Sequence, residues 1–209
     1  MEGNANLEVR VFPASFAELR ADEDQGKMFI SGYAAPYESL SEDLGGFREK
    51  IKRGAFARAI DTGMDIVCAP DHEYKAATIL GRTTSGTLKL SHNDVGLRFR
   101  CQLPDTQAGR DIFQTTRRGD CRGMSFAFNV APEKESWDQE GGLVVRTIDD
   151  LDVYDIAPVV HPAYHCTSVN VSRRALDQVA AIASRGRGTG HGGRRNHLQH
   201  LLELVKLHK

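Results

Sequence analysis

The sequence predicts a mainly β domain with flanking helices, built as an antiparallel sheet or barrel, and three observations predict it. Short apolar or alternating segments recur from residue 7 to about residue 171, turn residues separate them, and helical spacing is confined to a few stretches. LEVRVF (7–12), KMFISGYAA (27–35), MDIVCAP (64–70), ATILGRT (77–83) and GTLKLSH (86–92) each fit a strand. So do GLRFRCQL (96–103), GMSFAFNV (123–130), GLVVRTI (142–148) and LDVYDIAPVV (151–160). TTSG and HNDVG are short polar connections that should join residues 77–83, 86–92 and 96–103 as successive hairpins.

Three helices are expected in or beside this domain. KRGAFARAIDTG carries Phe56 and Ile60 four apart and ends at Gly63, and TQAGRDIFQTTRRG has the same short helical character before Gly119. Ser172 is a good N-cap for RRALDQVAAIAS, in which Leu176, Val179 and Ile182 share a face that should pack on the β domain. The expected organisation is one domain over residues 1–185, a glycine- and arginine-rich flexible linker over 186–195, and an amphipathic C-terminal helix over 196–209. In that last segment Leu198, Leu201, Leu202 and Val205 form one stripe.

The bulk composition narrows the functions. A net charge of −1 supplies no global field for nucleic acid or a membrane surface, so neither is expected as a partner. The opening MEGNANLEVRVF lacks a basic region followed by an apolar stretch, which points to the cytoplasm. Cys68, Cys101, Cys121 and Cys166 stand far apart without a CxxC pair and read as free thiols in a reducing compartment. No cofactor is expected, because GRTTSG and RGDCRG lack the spacing of phosphate-binding loops. Asp71, His72 and Glu73 suggest a metal only weakly, since no second His or Cys stands at ligand spacing, and none is expected.

The stretch RRGDCRGMSFAF carries the chemistry. On a strand, Met124, Phe126 and Phe128 share one face and Ser125 and Ala127 the other, so a lone hydroxyl should be displayed on a small-residue face, with Gly123 leaving room for a substrate. A serine nucleophile requires a base and a group that orients the base. His72, at the end of the apolar strand IVCAPD, is the best candidate, with His92, His161 and His165 as alternatives. In LDVYDIAPVV regular alternation puts Asp155 on one face with Leu151, Val153, Ala157 and Val159. A carboxylate among such neighbours calls for an imidazole or arginine partner.

Taken in order, RGAFARAI (53–60), DHEYKAATILGRTTSGTLKL (71–90), GLRFRCQLPDTQAGRD (96–111), RGMSFAF (122–128) and LDVYDIAPVVHPAY (151–164) resemble the prohead proteases of tailed bacteriophages, over roughly residues 29–171. The resemblance implies a closed antiparallel β-barrel of the herpesvirus-protease type, with flanking helices. It implies a serine endopeptidase of virion maturation in which His72 and Ser125 match the catalytic pair. The family's usual glutamate, seven residues before the proline of PAY, is matched here by Asp155, and the serine that often follows two residues later is Ala157.

The implied substrates are the capsid scaffold or major capsid protein precursor, and the chain itself, inside a procapsid in the host cytoplasm. A homodimer is compatible with the resemblance. Backbone N–H groups near Ser125, or from the arginine-rich turn of Arg117, Arg118 and Arg122, are candidates for holding the oxyanion. The contrasting expectations are a catalytically inactive β-barrel module for capsid assembly or scaffold binding, and a metal-assisted hydrolase using His72 and Asp71.

Overall fold

The computed structural model describes residues 7–12, 14–140, 142–160 and 171–185. The N-terminal half runs β1 (Glu8–Phe12), α1 (Ala14–Ala17), β2 (Arg20–Asp24), β3 (Lys27–Pro36), β4 (Arg48–Ile51), α2 (Ala57–Asp61) and β5 (Val67–Cys68). An irregular turn over Pro70–His72 follows, then β6 (Gly81–Arg82), β7 (Leu88–His92), β8 (Gly96–Gln102) and α3 (Gln107–Arg118). The chain continues through β9 (Gly123–Asn129), β10 (Glu135–Glu140), β11 (Leu143–Ile148), β12 (Asp152–Val159) and α4 (Arg173–Arg185). The expected linker at 186–195 and helix at 196–209 lie outside the described residues.

The closed antiparallel barrel is not what these strands build. They form three open sheets, ordered β1-β9-β12-β5-β6, β10-β11-β4 and β2-β3-β8-β7, and two of the pairings, β12 with β5 and β11 with β4, are parallel. The architecture is therefore mixed β and α. The residues around TTSG show the reason. Of the segment 77–83 only Gly81 and Arg82 become strand, and they pair with Val67 and Cys68 of β5 instead of with β7. A hairpin that would have stitched two sheets together is thus absent, whereas HNDVG does join β7 to β8 as an antiparallel pair. Gly81 makes this layering possible: a Cβ there would stand 2.6 Å from Cys101 Sγ, so β6 crosses close over β8 only without a side chain.

The helices follow their caps. Thr106 accepts a hydrogen bond from the Gly109 amide at the start of α3, and Gly119 ends it with φ +83°, the left-handed conformation that suits glycine. Helix α4 is preceded by Ser172, whose hydroxyl accepts from the Ala175 amide, and its Ala175 and Val179 pack with Leu44, Phe47 and Val144. The main core lies under β9. Phe126 contacts Phe128 at 4.7 Å, Phe12 at 5.8 Å and, edge-on, Phe56 at 5.9 Å between ring centroids. The aromatic of RGAFARAI and the central aromatic of GMSFAF are one packing unit, and it forms the floor beneath Ser125.

No helix among the described residues is long and apolar enough to cross a membrane.

Candidate active site

Residues that oppose each other across neighbouring strands share a face, so the register writes out the site. Val9, Ala127 and Asp155 form one row across β1, β9 and β12, and Val11, Ser125 and Ala157 form the next. This is the small-residue face expected for Ser125. Asp155 joins it for a reason that alternation hides. Val153 opposes Phe128 and Asp155 opposes Ala127, so Tyr154 is an extra residue, a β-bulge. The bulge turns Asp155 onto the face opposite Val153, correcting the expectation that Leu151, Val153, Asp155, Ala157 and Val159 share a face. Val153 stays in the core with Phe128.

His72 arrives from the end of β5. Asp71 and His72 both have left-handed backbone, with φ of 49° and 60°, a costly conformation for residues bearing a Cβ. The surroundings hold it: Ala69 N–H donates to the Ile156 carbonyl, Glu73 N–H to the Pro70 carbonyl, and the Thr78 hydroxyl to the Glu73 carbonyl. The imidazole is delivered over the face of the sheet that carries Ser125 and Asp155. Its Nδ1 is 2.7 Å from Asp155 Oδ1 and its Nε2 is 2.7 Å from Ser125 Oγ.

The three residues singled out from sequence thus meet as an unbroken acid, imidazole and hydroxyl relay. The burial differs from expectation, for Ser125 is 0% exposed instead of displayed, and Gly123 is buried opposite Val159. The Ser125 hydroxyl also donates to the Arg10 carbonyl of β1 at 3.0 Å. Asp155 is fully buried, and its Oδ2 has no hydrogen-bond partner among the described residues.

The other candidates separate from this centre. His92 is exposed in the β7–β8 hairpin with its ring edge-on to Tyr37, while His161 and His165 lie outside the described residues. Arg117, Arg118 and Arg122 are exposed, and Arg118 pairs with Asp120 at 3.1 Å. Cys68, Cys101 and Cys121 are buried free thiols, and Cys166 lies outside the described residues. A hydrogen bond with Cys101, together with burial, drives the Cys68 thiol well up, and burial pushes Cys121 up to about 11, so both stay protonated and unreactive at neutral pH. Among the described residues no group of three or more His, Cys, Asp or Glu side chains is arranged to hold a metal ion.

Beside the site lies a buried ionic cluster that the sequence did not announce. Arg10 pairs with Glu8 at 2.7 Å and Glu49 at 2.9 Å, and Arg146 pairs with Glu8 and Glu49 at 2.7 Å each and with Glu135 at 2.6 Å. Arg174 of α4 closes the series on Glu135 at 2.5 Å. Burial alone would raise the Glu8 pKa, but Arg10 and Arg146 outweigh it and hold the carboxyl below its ordinary range. The cluster ties β1 to β4, β11, β10 and α4. Glu8 and Arg10 point into it, leaving the half-buried Val9 and Val11 on the face that carries Ser125.

No curated relative matches the chain. The fold is similar to that of the bacteriophage T4 capsid assembly protease, with a TM-score of 0.51 and 10% sequence identity over 75% of this chain and 98% of that one. A family model of the caudovirus prohead serine proteases matches residues 15–182, far more than half of the chain. With that match, the chain belongs to the caudovirus prohead serine protease family, the proteases of capsid maturation.

Proposed function

We propose that this protease uses Ser125 as nucleophile, His72 as general base and Asp155 as the group that orients His72, and that it cuts the capsid scaffold or major capsid protein precursor and its own chain within the procapsid. The observation that carries the assignment is the relay Asp155 Oδ1, His72, Ser125 Oγ, closed by two contacts of 2.7 Å. Ser125 Oγ attacks the peptide carbonyl carbon as its proton passes to His72 Nε2. The C–N bond of the tetrahedral intermediate then breaks as His72 returns that proton to the leaving amine. Water, deprotonated by the same nitrogen, resolves the acyl ester. During attack the buried Asp155 carboxylate accepts from Nδ1–H, keeping Nε2 free to take the proton and stabilising the imidazolium that forms.

The test is cleavage of the purified capsid precursor, with the new termini mapped. Ser125→Ala is a small-for-small change and should keep the fold while lowering kcat on the order of 10⁶-fold, with His72→Ala similar and the double variant no slower than either. Retention of more than about a hundredth of the wild-type rate by Ser125→Ala removes it from the nucleophile role. Labelling of Ser125 by a phosphonate in the presence of a chelator separates this reading from a metal-assisted hydrolase and from an inactive assembly module.

A further inference from the structure

Ser125 carries one hydroxyl proton; the hydroxyl donates to the Arg10 carbonyl at 3.0 Å, and its oxygen also lies 2.7 Å from His72 Nε2, whose role as donor or acceptor follows the imidazole tautomer. Attack on a carbonyl carbon requires that proton to go to His72. Once it has gone, Oγ has nothing to donate, and two oxygen atoms bearing lone pairs face each other across 3.0 Å. Ser125 is also without exposed surface, whereas a substrate carbonyl carbon must come within about 3–3.5 Å of Oγ. The described arrangement is therefore a resting one, and something beside Ser125 has to withdraw. β12 is an interior strand of the sheet and carries Asp155, and His72 must stay in place, but β1 is an edge strand among the described residues. It is the neighbour that can leave without opening the sheet or breaking the relay.

The buried ionic cluster is built on the same strand. Arg10 offers its backbone carbonyl to Ser125 and, on the opposite face, its guanidinium to Glu49 and Glu8; Arg146 holds the same two carboxylates from β11. The charges that fix the register of β1 thus also fix the carbonyl on the nucleophile. The geometry points to β1 as a latch: Arg10 holds the Ser125 hydroxyl in a resting hydrogen bond, the cluster of Glu8, Glu49 and Arg146 keeps the latch shut, and acylation follows withdrawal of β1. This rests on Ser125 being the nucleophile and extends that reading to a strand that precedes the family-matched residues.

The rate at which a fluorophosphonate labels Ser125 in the full chain tests the latch. In that reaction the Oγ–P bond forms, fluoride leaves, and the hydroxyl proton goes to His72. Glu49→Gln weakens the hold on β1, so it should label about tenfold faster than wild type while melting at a lower temperature, a combination that loss of structure alone does not give. Val9→Cys with Ala127→Cys offers a second route, in which the oxidised and reduced forms of one protein are compared. These residues oppose each other on β1 and β9, where antiparallel Cα separations of about 4.5–5.5 Å suit a disulfide.

The oxidised double variant should label at least about tenfold more slowly than the same protein after reduction, because the latch cannot withdraw. Equal rates in the oxidised and reduced forms overturn the latch, as does a folded Glu49→Gln that labels no faster than wild type. Mapping the labelled residue keeps the two readings apart. Label found away from Ser125 defeats the nucleophile assignment and the latch with it, whereas label on Ser125 that is indifferent to the tether defeats the latch alone.

Discussion

Val153 and Asp155 lie two residues apart on β12 yet face opposite sides of the sheet, Val153 against Phe128 in the core and Asp155 against Ala127 beside His72. The bulge at Tyr154 converts a position that alternation would assign to the core into the third member of the relay.

Asp155→Asn should keep this geometry while favouring the wrong imidazole tautomer, lowering kcat by about 10³–10⁴ with little change in thermal midpoint. Steady-state cleavage and a melting curve on the same preparation check it. A wild-type rate in Asp155→Asn would leave His72 oriented by another group.

Asp155→Glu restores the acid usual in the family but adds a methylene beside Ala127 and Ala157, on a face where Asp155 is already fully buried. Overpacking should lose about 1–3 kcal/mol together with activity. Denaturant titration measures the first and precursor cleavage the second. A Glu variant as stable and active as the parent shows that the backbone tolerates both acids.

Glu8 gives a pH signature of the ionic cluster. Its folded pKa lies below the roughly 4.3 of an unfolded glutamate, so its contribution to stability is fully present above that value and is lost as pH falls through the folded one. In Glu8→Gln the contribution is absent throughout. The stability gap between the two proteins should be widest near neutral pH and should close on acidification below about pH 4, measured by urea midpoints at a series of pH values. A gap independent of pH would mean that Glu8 is not acting through its charge.

How much of this could be read beforehand follows from where local pattern and tertiary context agree. β3, β8, β9 and β12 are apolar or alternating because they are half or fully buried, and all four were legible. RADED and ESWDQE were not, because β2 and β10 are polar strands at sheet edges, where a neighbour supplies the pairing and no apolar stripe is required. LEVRVF was legible as a strand but not in its facing. Period-two reasoning would send Glu8 and Arg10 to solvent, while the structure buries both because Glu49 and Arg146 arrive from distant strands to neutralise them. Ser125 and His72 are singled out in the sequence by their positions at strand and turn, but the left-handed backbone that aims His72 and the bulge that aims Asp155 have no signature in a single sequence.

The contact between Phe56 and Phe126 gives the last prediction, because it joins two sequence motifs through one pair of rings. Both rings are fully buried, with centroids 5.9 Å apart in an edge-on arrangement, and Phe126 lies on the strand segment that carries Ser125. Phe56→Ala should cost about 3–5 kcal/mol by the lost transfer energy and the cavity left behind. Phe126→Ala should cost at least as much, since Phe126 also contacts Phe12 and Phe128. In a double-mutant cycle the two losses should fall short of additivity by about 0.5–1.5 kcal/mol, the range for an aromatic pair in contact. Phe56→Leu keeps most of the volume and fills most of the cavity, so it should fold, with the cleavage rate falling more than stability alone requires because the floor under Ser125 is reshaped. Additive losses in the cycle would mean that the two rings are stabilised independently and that the motif at residues 53–60 does not support the strand that carries Ser125.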